Sequence, residues 1–233
     1  MAFAPGAFFP RFVQLLGILV LRPWVRFCFR CRVRLPSTPL PVPCVFAANH
    51  RSFFDPPFVG MWHHQPLSYF ARSDLWKHAP IRFMLGVMYG IPIDRENPGV
   101  SSMKGAIERL RQGISVLVFP EGTRTRSGRV GQLREGPPLF ARRAGVPVVP
   151  VYIHHSERVW PRHALMPNLC GGPIEIRFGR PLAPPPGLSP RLTDAWVAAR
   201  LQAWILAQER VLLGRAPSNA PVRSAPAGTL RMA

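Results

Sequence analysis

Short apolar runs alternate with helix-like segments along most of this chain, and this alternation constrains the fold more than any other feature. The runs have the length and the β-branched content of buried strands, and they cover residues 42–48, 67–70, 114–119, 146–153 and 174–178. The intervening segments that are typical of helices are 56–63, 81–88, 101–111 and 139–144. Strands interleaved with helices predict an α/β fold with a central sheet flanked by helices.

The two ends of the chain differ from this central part. Ser189 and Pro190 offer an N-cap and a first helical residue, so a further helix is predicted from there to about residue 213. The sequence therefore divides into an amino-terminal segment (1–35), a central domain (36–180), a proline-rich linker with a carboxy-terminal helix (181–213) and a tail that is predicted to be disordered (214–233).

The amino-terminal segment carries an apolar stretch at residues 8–25 that Arg11, Gln14 and Arg22 interrupt. A helix that crosses a membrane needs about 20 apolar residues. The stretch therefore predicts an amphipathic helix that lies in a membrane interface, with Phe, Leu and Trp24 in the acyl region and arginines at the headgroups. A helix packed on the domain's own core and a weakly spanning helix are alternatives. A signal peptide is disfavoured, because Arg-Pro-Trp follows the apolar core where small residues are expected.

The chain is strongly basic, with 30 Lys and Arg against 11 Asp and Glu and a formal net charge of +19. Such an excess attracts anionic partners, among them acidic lipid surfaces, phosphorylated metabolites and nucleic acid. Charge alone does not choose among these partners.

The cysteines and histidines predict no metal site. Cys28 and Cys31 form one Cys-x-x-Cys pair, but no second pair completes the four ligands that a zinc site needs. The two His-His pairs, at residues 63–64 and 154–155, lack neighbouring carboxylates or thiols.

The sequence NHRSFFD at residues 49–55 directly follows the strand predicted at 42–48. On one continuous helix, residues five apart point about 140° away from each other, so His50 and Asp55 meet only if a turn separates strand and helix. The two prolines that follow Asp55 favour such a turn and predict Asp55 as the N-cap of the next helix. An imidazole beside a carboxylate can accept a proton from an alcohol, while the carboxylate fixes its tautomer. His50 is therefore the candidate general base, and Asp55 is its orienting partner.

A second motif, FPEGTR at residues 119–124, ends the apolar strand predicted at 114–119. Loops at the ends of strands commonly bind ligands in α/β proteins. Gly122 allows close approach of a backbone to a ligand, Arg124 can grip a phosphate through its fork of donors, and Glu121 can accept hydrogen bonds from a polyol. An ordinary turn with a surface arginine is the alternative.

NHRSFFD followed by FPEGTR resembles the PlsC-like glycerolipid acyltransferases, the family that includes 1-acylglycerol-3-phosphate acyltransferases. Two further blocks are similar to that family: GIPIDR at 90–95 and VPVVPV at 146–151, so the resemblance covers roughly residues 42–180. It implies a central mixed sheet flanked by helices, as in glycerol-3-phosphate acyltransferase. It also implies that His50 is the base and Asp55 its partner, that Arg95 and Arg124 bind phosphate, and that the acceptor site includes Glu121, Gly122 and Thr123.

The chain departs from the family's pattern at residues 134–138, where REGPP replaces a basic pair followed by glycine. Glu135 places a negative charge there, and the two prolines are expected to delay the start of the helix. An acceptor other than a phosphate monoester is therefore a live alternative.

The reaction that these motifs imply transfers a fatty acyl group from acyl coenzyme A or acyl carrier protein to the hydroxyl of a lysolipid. The favoured acceptor is 1-acyl-sn-glycerol-3-phosphate, which gives phosphatidic acid. A lyso-ornithine lipid or another lysophospholipid is the alternative acceptor. The chemistry requires no metal and no cofactor beyond the acyl donor, and phenylalanines and tryptophans such as Phe53, Phe54, Phe58 and Trp62 can line a channel for the acyl chain.

Two other classes of function compete with this prediction. The arginine-rich segments suggest a nucleic-acid-binding protein, but no recognisable binding module is present and no nucleic acid partner is expected. A non-catalytic lipid-binding protein is disfavoured, because both His50 and Asp55 are present. Cytosolic acyl donors and an interfacial helix predict association with the cytoplasmic face of the inner membrane. The motifs encode neither the acyl-chain length nor the oligomeric state.

Overall fold

A computed structural model describes residues 8–63, 65–93, 100–125 and 128–214 of the protein. The predicted disordered tail falls, from residue 215 onward, outside the described residues.

The described strands form one seven-stranded sheet in the order β1-β7-β6-β2-β5-β3-β4. Every neighbouring pair is parallel except β6 and β7, so the sheet is mixed, as the family resemblance implies. The strands are β1 (Arg32–Arg34), β2 (Val45–Ala48), β3 (Leu67–Arg72), β4 (Ile91–Ile93), β5 (Ser115–Val118), β6 (Val148–His154) and β7 (Glu175–Phe178).

Five of these strands coincide with the predicted apolar runs, whereas β1 and β4 were not predicted. Both are three residues long and form the two edges of the sheet. The sequence of β1 is mostly arginine, and β4 contains a proline, which only an edge strand tolerates easily. Neither strand therefore carries the apolar signature of a buried strand.

The helices flank the sheet on both faces. They are α1 (Phe8–Cys28), α2 (Asp55–Gly60), α3 (Ala79–Val87), α4 (Val100–Arg111), α5 (Gly136–Ala144) and α6 (Pro190–Leu212), with short 3-10 turns at Ser73–Lys77 and Ser156–Arg158. The prediction that two prolines delay the start of α5 is wrong. The helix begins at Gly136 and holds both prolines in its first turn, where backbone N–H groups have no intrahelical partner to lose. Ser189 caps α6 as predicted, since its hydroxyl accepts a hydrogen bond from the N–H of Leu192.

Two apolar layers hold the helices against the sheet. Alternate residues of β2 point to opposite faces, so Phe46 joins the layer beneath α1 and α2 while Val45 joins the layer beneath α4, α5 and α6. The long helix α6 is fixed in the second layer by Leu201 and Ile205, which are fully buried.

Helix α1 buries only part of its apolar surface. Ile18 and Val25 face the protein, but many of its large apolar side chains are exposed: Phe12, Leu15, Leu16, Leu19, Val20, Leu21, Trp24 and Phe27. No helix within the described ranges has both the length and the hydropathy needed to cross a membrane.

Asn49 continues the pairing of β2 with β6 beyond the end of the backbone ladder. Its amide nitrogen donates to the carbonyl oxygen of Ile153 at 2.9 Å, and its amide oxygen accepts from the N–H of the same residue at 2.7 Å. Asn49 is fully buried, so these two bonds satisfy backbone groups that water cannot reach.

Replacing Asn49 by Ala should therefore lower the free energy of unfolding by about 2–4 kcal/mol, because a buried N–H and a buried C=O lose their partners. Urea unfolding would measure the loss. The matched control is Asn168→Ala, which removes one hydrogen bond in an exposed turn and should cost no more than about 0.5 kcal/mol. Equal losses in the two variants would contradict this account of Asn49.

Candidate active site

Both sequence motifs lie at the same edge of the sheet. Strands β2 and β5 are parallel neighbours, with Ala47 opposite Val118, so the loops that follow them emerge side by side. The backbone joins these loops, since the N–H of Thr125 donates to the carbonyl oxygen of His50 at 2.9 Å. This edge is where open α/β sheets bind ligands.

His50 and Asp55 meet across the turn between β2 and α2. The imidazole Nδ1 lies 2.8 Å from the Asp55 Oδ2, and the His50 side chain remains 15% exposed. An ionised carboxylate only accepts hydrogen bonds, so Nδ1 carries the proton of the neutral ring and Nε2 presents its lone pair. The pair has the arrangement of a general base with an orienting carboxylate.

The predicted N-cap role of Asp55 is wrong. Phe54 occupies the N-cap position and Asp55 is the first residue of α2, with its side chain turned back into the preceding turn. There Oδ2 accepts hydrogen bonds from the N–H groups of Arg51 at 2.6 Å and Ser52 at 2.7 Å as well as from His50. The carboxylate is fully buried, and these three donors define the conformation of the turn.

The second motif packs against one face of the His50 imidazole. The ring of Phe119 stacks on the His50 imidazole, with 4.0 Å between centroids and an interplanar angle of 18°. One Glu121 oxygen accepts from the N–H of His50 at 2.9 Å, and the other accepts from the N–H of Gly131 at 3.3 Å. Burial raises the pKa of the Glu121 carboxyl, and the two backbone donors oppose that effect. Glu121 therefore links three segments of the site.

Gly122 adopts a φ of +73°, which favours glycine. A Cβ atom at this position would lie 3.0–3.2 Å from the guanidinium of Arg134, so the glycine also makes room for that side chain. The backbone supports the approach, because the N–H of Arg134 donates to the carbonyl oxygen of Pro120 at 3.0 Å. Arg134 was not among the predicted site residues, since its sequence neighbours gave no sign that it folds back onto the FPEGTR loop.

The remaining predicted site residues have different positions. Thr123 is exposed on the loop. The Arg124 guanidinium lies over the ring of Phe53 at 3.3 Å from its centroid, which holds the arginine beside the turn from His50 to Asp55, the candidate catalytic turn. Arg95 lies outside the described residues. The structure therefore brings Glu121, Gly122 and Arg124 to His50 and says nothing of Arg95.

An apolar cavity of about 270 Å³ lies between α1, α2 and α3. It shares α2 with the candidate catalytic turn, because Asp55 begins that helix and Pro57 lines the cavity. Its other lining residues are Gly17, Ile18, Leu21, Gly60, Met61, Leu67, Tyr69, Phe83, Met84, Val87 and Met88. None of the four aromatic residues predicted for an acyl channel lines it. Phe58, for example, is fully buried in the core.

No group of three His, Cys, Asp or Glu side chains within the described ranges is arranged to hold a metal ion. The rings of His154 and His155 are in contact at a tilt of 37°, and burial, His155 and Arg51 lower the pKa of His154 to about 4. Burial raises the pKa of the Cys31 thiol to about 12, so this cysteine stays protonated at neutral pH.

Comparison with known families gives a match over residues 32–154 to the family described as Acyltransferase. The match covers more than half of the 233 residues and includes both motifs.

Two relatives carry the same description of activity. A chloroplastic 1-acyl-sn-glycerol-3-phosphate acyltransferase of Brassica napus is 32% identical over 129 residues, which are 54% of this chain and 37% of that protein. The 1-acyl-sn-glycerol-3-phosphate acyltransferase of Pseudomonas aeruginosa is 32% identical over 168 residues, 70% of this chain and 62% of that protein. The matched part is thus less than two thirds of the length of either relative.

Among solved structures, the crystal structure of the 1-acyl-sn-glycerophosphate acyltransferase PlsC from Thermotoga maritima resembles this one with a TM-score of 0.63 and 22% identity. The similarity covers 86% of this chain and 87% of that one, so the two chains share a fold.

Proposed function

Because this chain belongs to the Acyltransferase family, we propose that it esterifies the hydroxyl of a lysolipid with a fatty acyl group carried as a thioester. The observation that carries the proposal is the hydrogen-bonded pair of His50 and the buried Asp55, placed beside the FPEGTR loop. The proposed acceptor is 1-acyl-sn-glycerol-3-phosphate, which the relatives' descriptions name and which gives phosphatidic acid as the product. The proposed donor is acyl coenzyme A or acyl carrier protein.

In the proposed reaction the lysolipid hydroxyl attacks the thioester carbonyl directly. His50 Nε2 removes the hydroxyl proton as the new C–O bond forms, and Asp55 stabilises the resulting imidazolium through Nδ1. The tetrahedral intermediate then expels the thiolate, which takes the proton from Nε2. The products are the ester and the free thiol, and His50 returns to its neutral form without an acyl-enzyme.

The basic side chains around the FPEGTR loop support a phosphorylated acceptor. Arg124 is held beside the catalytic turn by Phe53, and Arg134 lies against Gly122. A guanidinium matches a phosphate with parallel donors, and two of them near one base favour a dianionic headgroup. Glu135 is exposed at the start of α5 and adds one negative charge near this loop, so lysolipids with other headgroups are the competing acceptors.

The apolar cavity beside α2 is the proposed site for an acyl chain. Its walls are almost entirely carbon, and it lies on the helix whose first residue orients His50. An acyl chain placed there would hold its reacting end near the catalytic turn.

The exposed apolar side of α1 supports a location at a membrane interface. Leu19 and Phe27 are 70% and 86% exposed, and Arg22 and Arg26 lie in the same helix. Such a helix binds a bilayer through its apolar side chains and through attraction of its arginines to anionic headgroups. The donors are cytosolic, so we place the protein on the cytoplasmic side of the membrane.

The proposal predicts that the purified protein acylates one or more lysolipids from a radiolabelled thioester. A panel with phosphate, ornithine, choline and ethanolamine headgroups, with either donor, identifies the acceptor by chromatography of the products. Replacing His50 by Ala should lower kcat roughly 10²- to 10⁴-fold, which is the usual contribution of a general base.

The matched control is His163→Ala, which removes an exposed histidine outside the site and should leave turnover unchanged. If well-folded wild-type protein acylates no lysolipid with either donor, or if His50→Ala turns over normally, the proposed function is wrong.

Filling the cavity should shift the preferred acyl length. Gly17 lines the cavity, and a Cβ atom there meets nothing within 4 Å, so Gly17→Leu projects into the open space. Each methylene of the acyl chain that no longer fits should lose about 0.8 kcal/mol of binding free energy, which corresponds to about a fourfold loss in kcat/KM. A series of saturated donors and acceptors of increasing length would measure this loss.

Gly86→Leu is the control for this change, because Gly86 also lies in a helix with open space around it but does not line the cavity. An unchanged preference for acyl-chain length in Gly17→Leu would show that the cavity does not bind the acyl chain.

Placing a charge on the exposed side of α1 should weaken membrane binding. The double variant Leu19→Asp, Phe27→Asp is expected to sediment less with vesicles that contain anionic lipid, because two apolar contacts are lost and two negative charges are added. Leu192→Asp changes a comparably exposed leucine on α6 and should bind like the wild type. Equal binding of both variants would contradict an interfacial role for α1.

A further inference from the structure

One oxygen of Glu209, near the end of α6, contacts both loops of the active site. Its Oε1 accepts a hydrogen bond from Nη2 of Arg51 at 2.7 Å and another from the N–H of Val130 at 3.0 Å. Arg51 belongs to the catalytic turn, and Val130 follows the FPEGTR loop. Glu209 is 158 residues from Arg51 in sequence, and both side chains are buried.

Arg51 is held at its two ends by different carboxylates. Its backbone N–H donates to Oδ2 of Asp55, the atom that also binds the imidazole. Its guanidinium binds Glu209, donates to the Tyr152 hydroxyl at 3.1 Å and lies 3.7 Å from Glu157. Arg51 therefore connects Glu209 to the carboxylate that orients His50.

Helix α6 is a firm support for this contact. Leu201 and Ile205 fix it in the core, and Gln202, two turns before Glu209, binds the same loop. Gln202 accepts from the N–H of Leu133 at 2.9 Å and donates to the carbonyl oxygen of Gly131 at 3.3 Å. One face of α6 thus fixes the loop at residues 130–133, which in turn meets Glu121 through Gly131.

We infer that Glu209 is a positioning residue for the proposed acyl transfer, acting through Arg51 to hold the His50 and Asp55 pair in register with the FPEGTR loop. The inference rests on the proposed function. It assigns to α6, which lies beyond both motifs, a role in turnover rather than in stability alone. The charge of Glu209 matters because without it the buried guanidinium keeps only the more distant Glu157, at 3.7 Å, and would move toward that carboxylate or toward water.

The test compares Glu209→Ala with Asp194→Ala in the assay with whichever donor and lysolipid the wild type uses. Glu209→Ala should lower kcat roughly 10- to 100-fold with less than about a threefold change in KM for either substrate, as expected for a displaced catalytic group. Asp194→Ala removes another carboxylate of α6 that binds an arginine, Arg142, away from both site loops, and should keep kcat within about threefold of the wild type.

A double variant separates positioning from stability. Removing one partner of a buried ion pair lowers stability, whereas replacing both by apolar residues of similar size often restores it. Arg51→Met with Glu209→Met should therefore recover most of the Tm lost by Glu209→Ala while kcat stays low. Recovery of kcat together with Tm, or normal kcat in folded Glu209→Ala, would overturn the inference.

A measurement that needs no substrate tests the role of Glu209 separately from the proposed function. The imidazole ¹⁵N resonances of His50 report its Nδ1–H tautomer, and Glu209→Ala should shift or broaden them while Asp194→Ala leaves them unchanged. Wild-type resonances in Glu209→Ala would overturn the inference. Absence of acyl transfer by the wild type would reject the proposed function and leave this measurement to decide the role of Glu209.

Discussion

The turn from His50 to Asp55 depends on the Asp55 carboxylate, a fully buried charge whose Oδ2 accepts three hydrogen bonds. Two of the donors are the backbone N–H groups of Arg51 and Ser52, and the third is the imidazole of His50. A buried carboxylate is tolerated only when it is well supplied with donors, so the turn must close around it. The hydrogen bonds that stabilise the Asp55 charge therefore also fix the direction of the His50 ring. Structure and proposed chemistry share a single constraint.

The sheet brings together two motifs that are distant in sequence. Strands β2 and β5 are adjacent and parallel, and their ends place His50 beside Phe119 and Glu121. Glu121 accepts hydrogen bonds from the backbone N–H groups of His50 and Gly131, so it holds two segments of the site together. This structural role adds to the polar group that it offers to a ligand. The FPEGTR loop is thus a support for the histidine as well as a source of positive charge in Arg124.

The sequence predicts the parts of this structure that have local signatures. Strong apolar runs located the five interior strands, and the turn with its prolines brought His50 to Asp55. Local patterns could not locate the edge strands β1 and β4. Each of them forms by pairing with its neighbour in the sheet and lacks the apolar composition of a buried strand. Local patterns also could not reveal Arg134 against Gly122, or Glu209 against Arg51, because such contacts exist only after α5 and α6 dock. The misassigned cap at Asp55 has a related cause: a partly buried imidazole and two backbone amides compete for the carboxylate more strongly than the start of α2 does.

The contacts around His50 span large distances along the chain: Glu121 is 71 residues from His50, and Glu209 is 158 residues from the neighbouring Arg51. Contacts of such separation form late, since the intervening loops must close first. During synthesis the histidine emerges early, but its setting is complete only after residue 209 has left the ribosome and α6 has packed on the sheet. The proposed acyl transfer would therefore be open to a nascent chain only after nearly the whole domain is made.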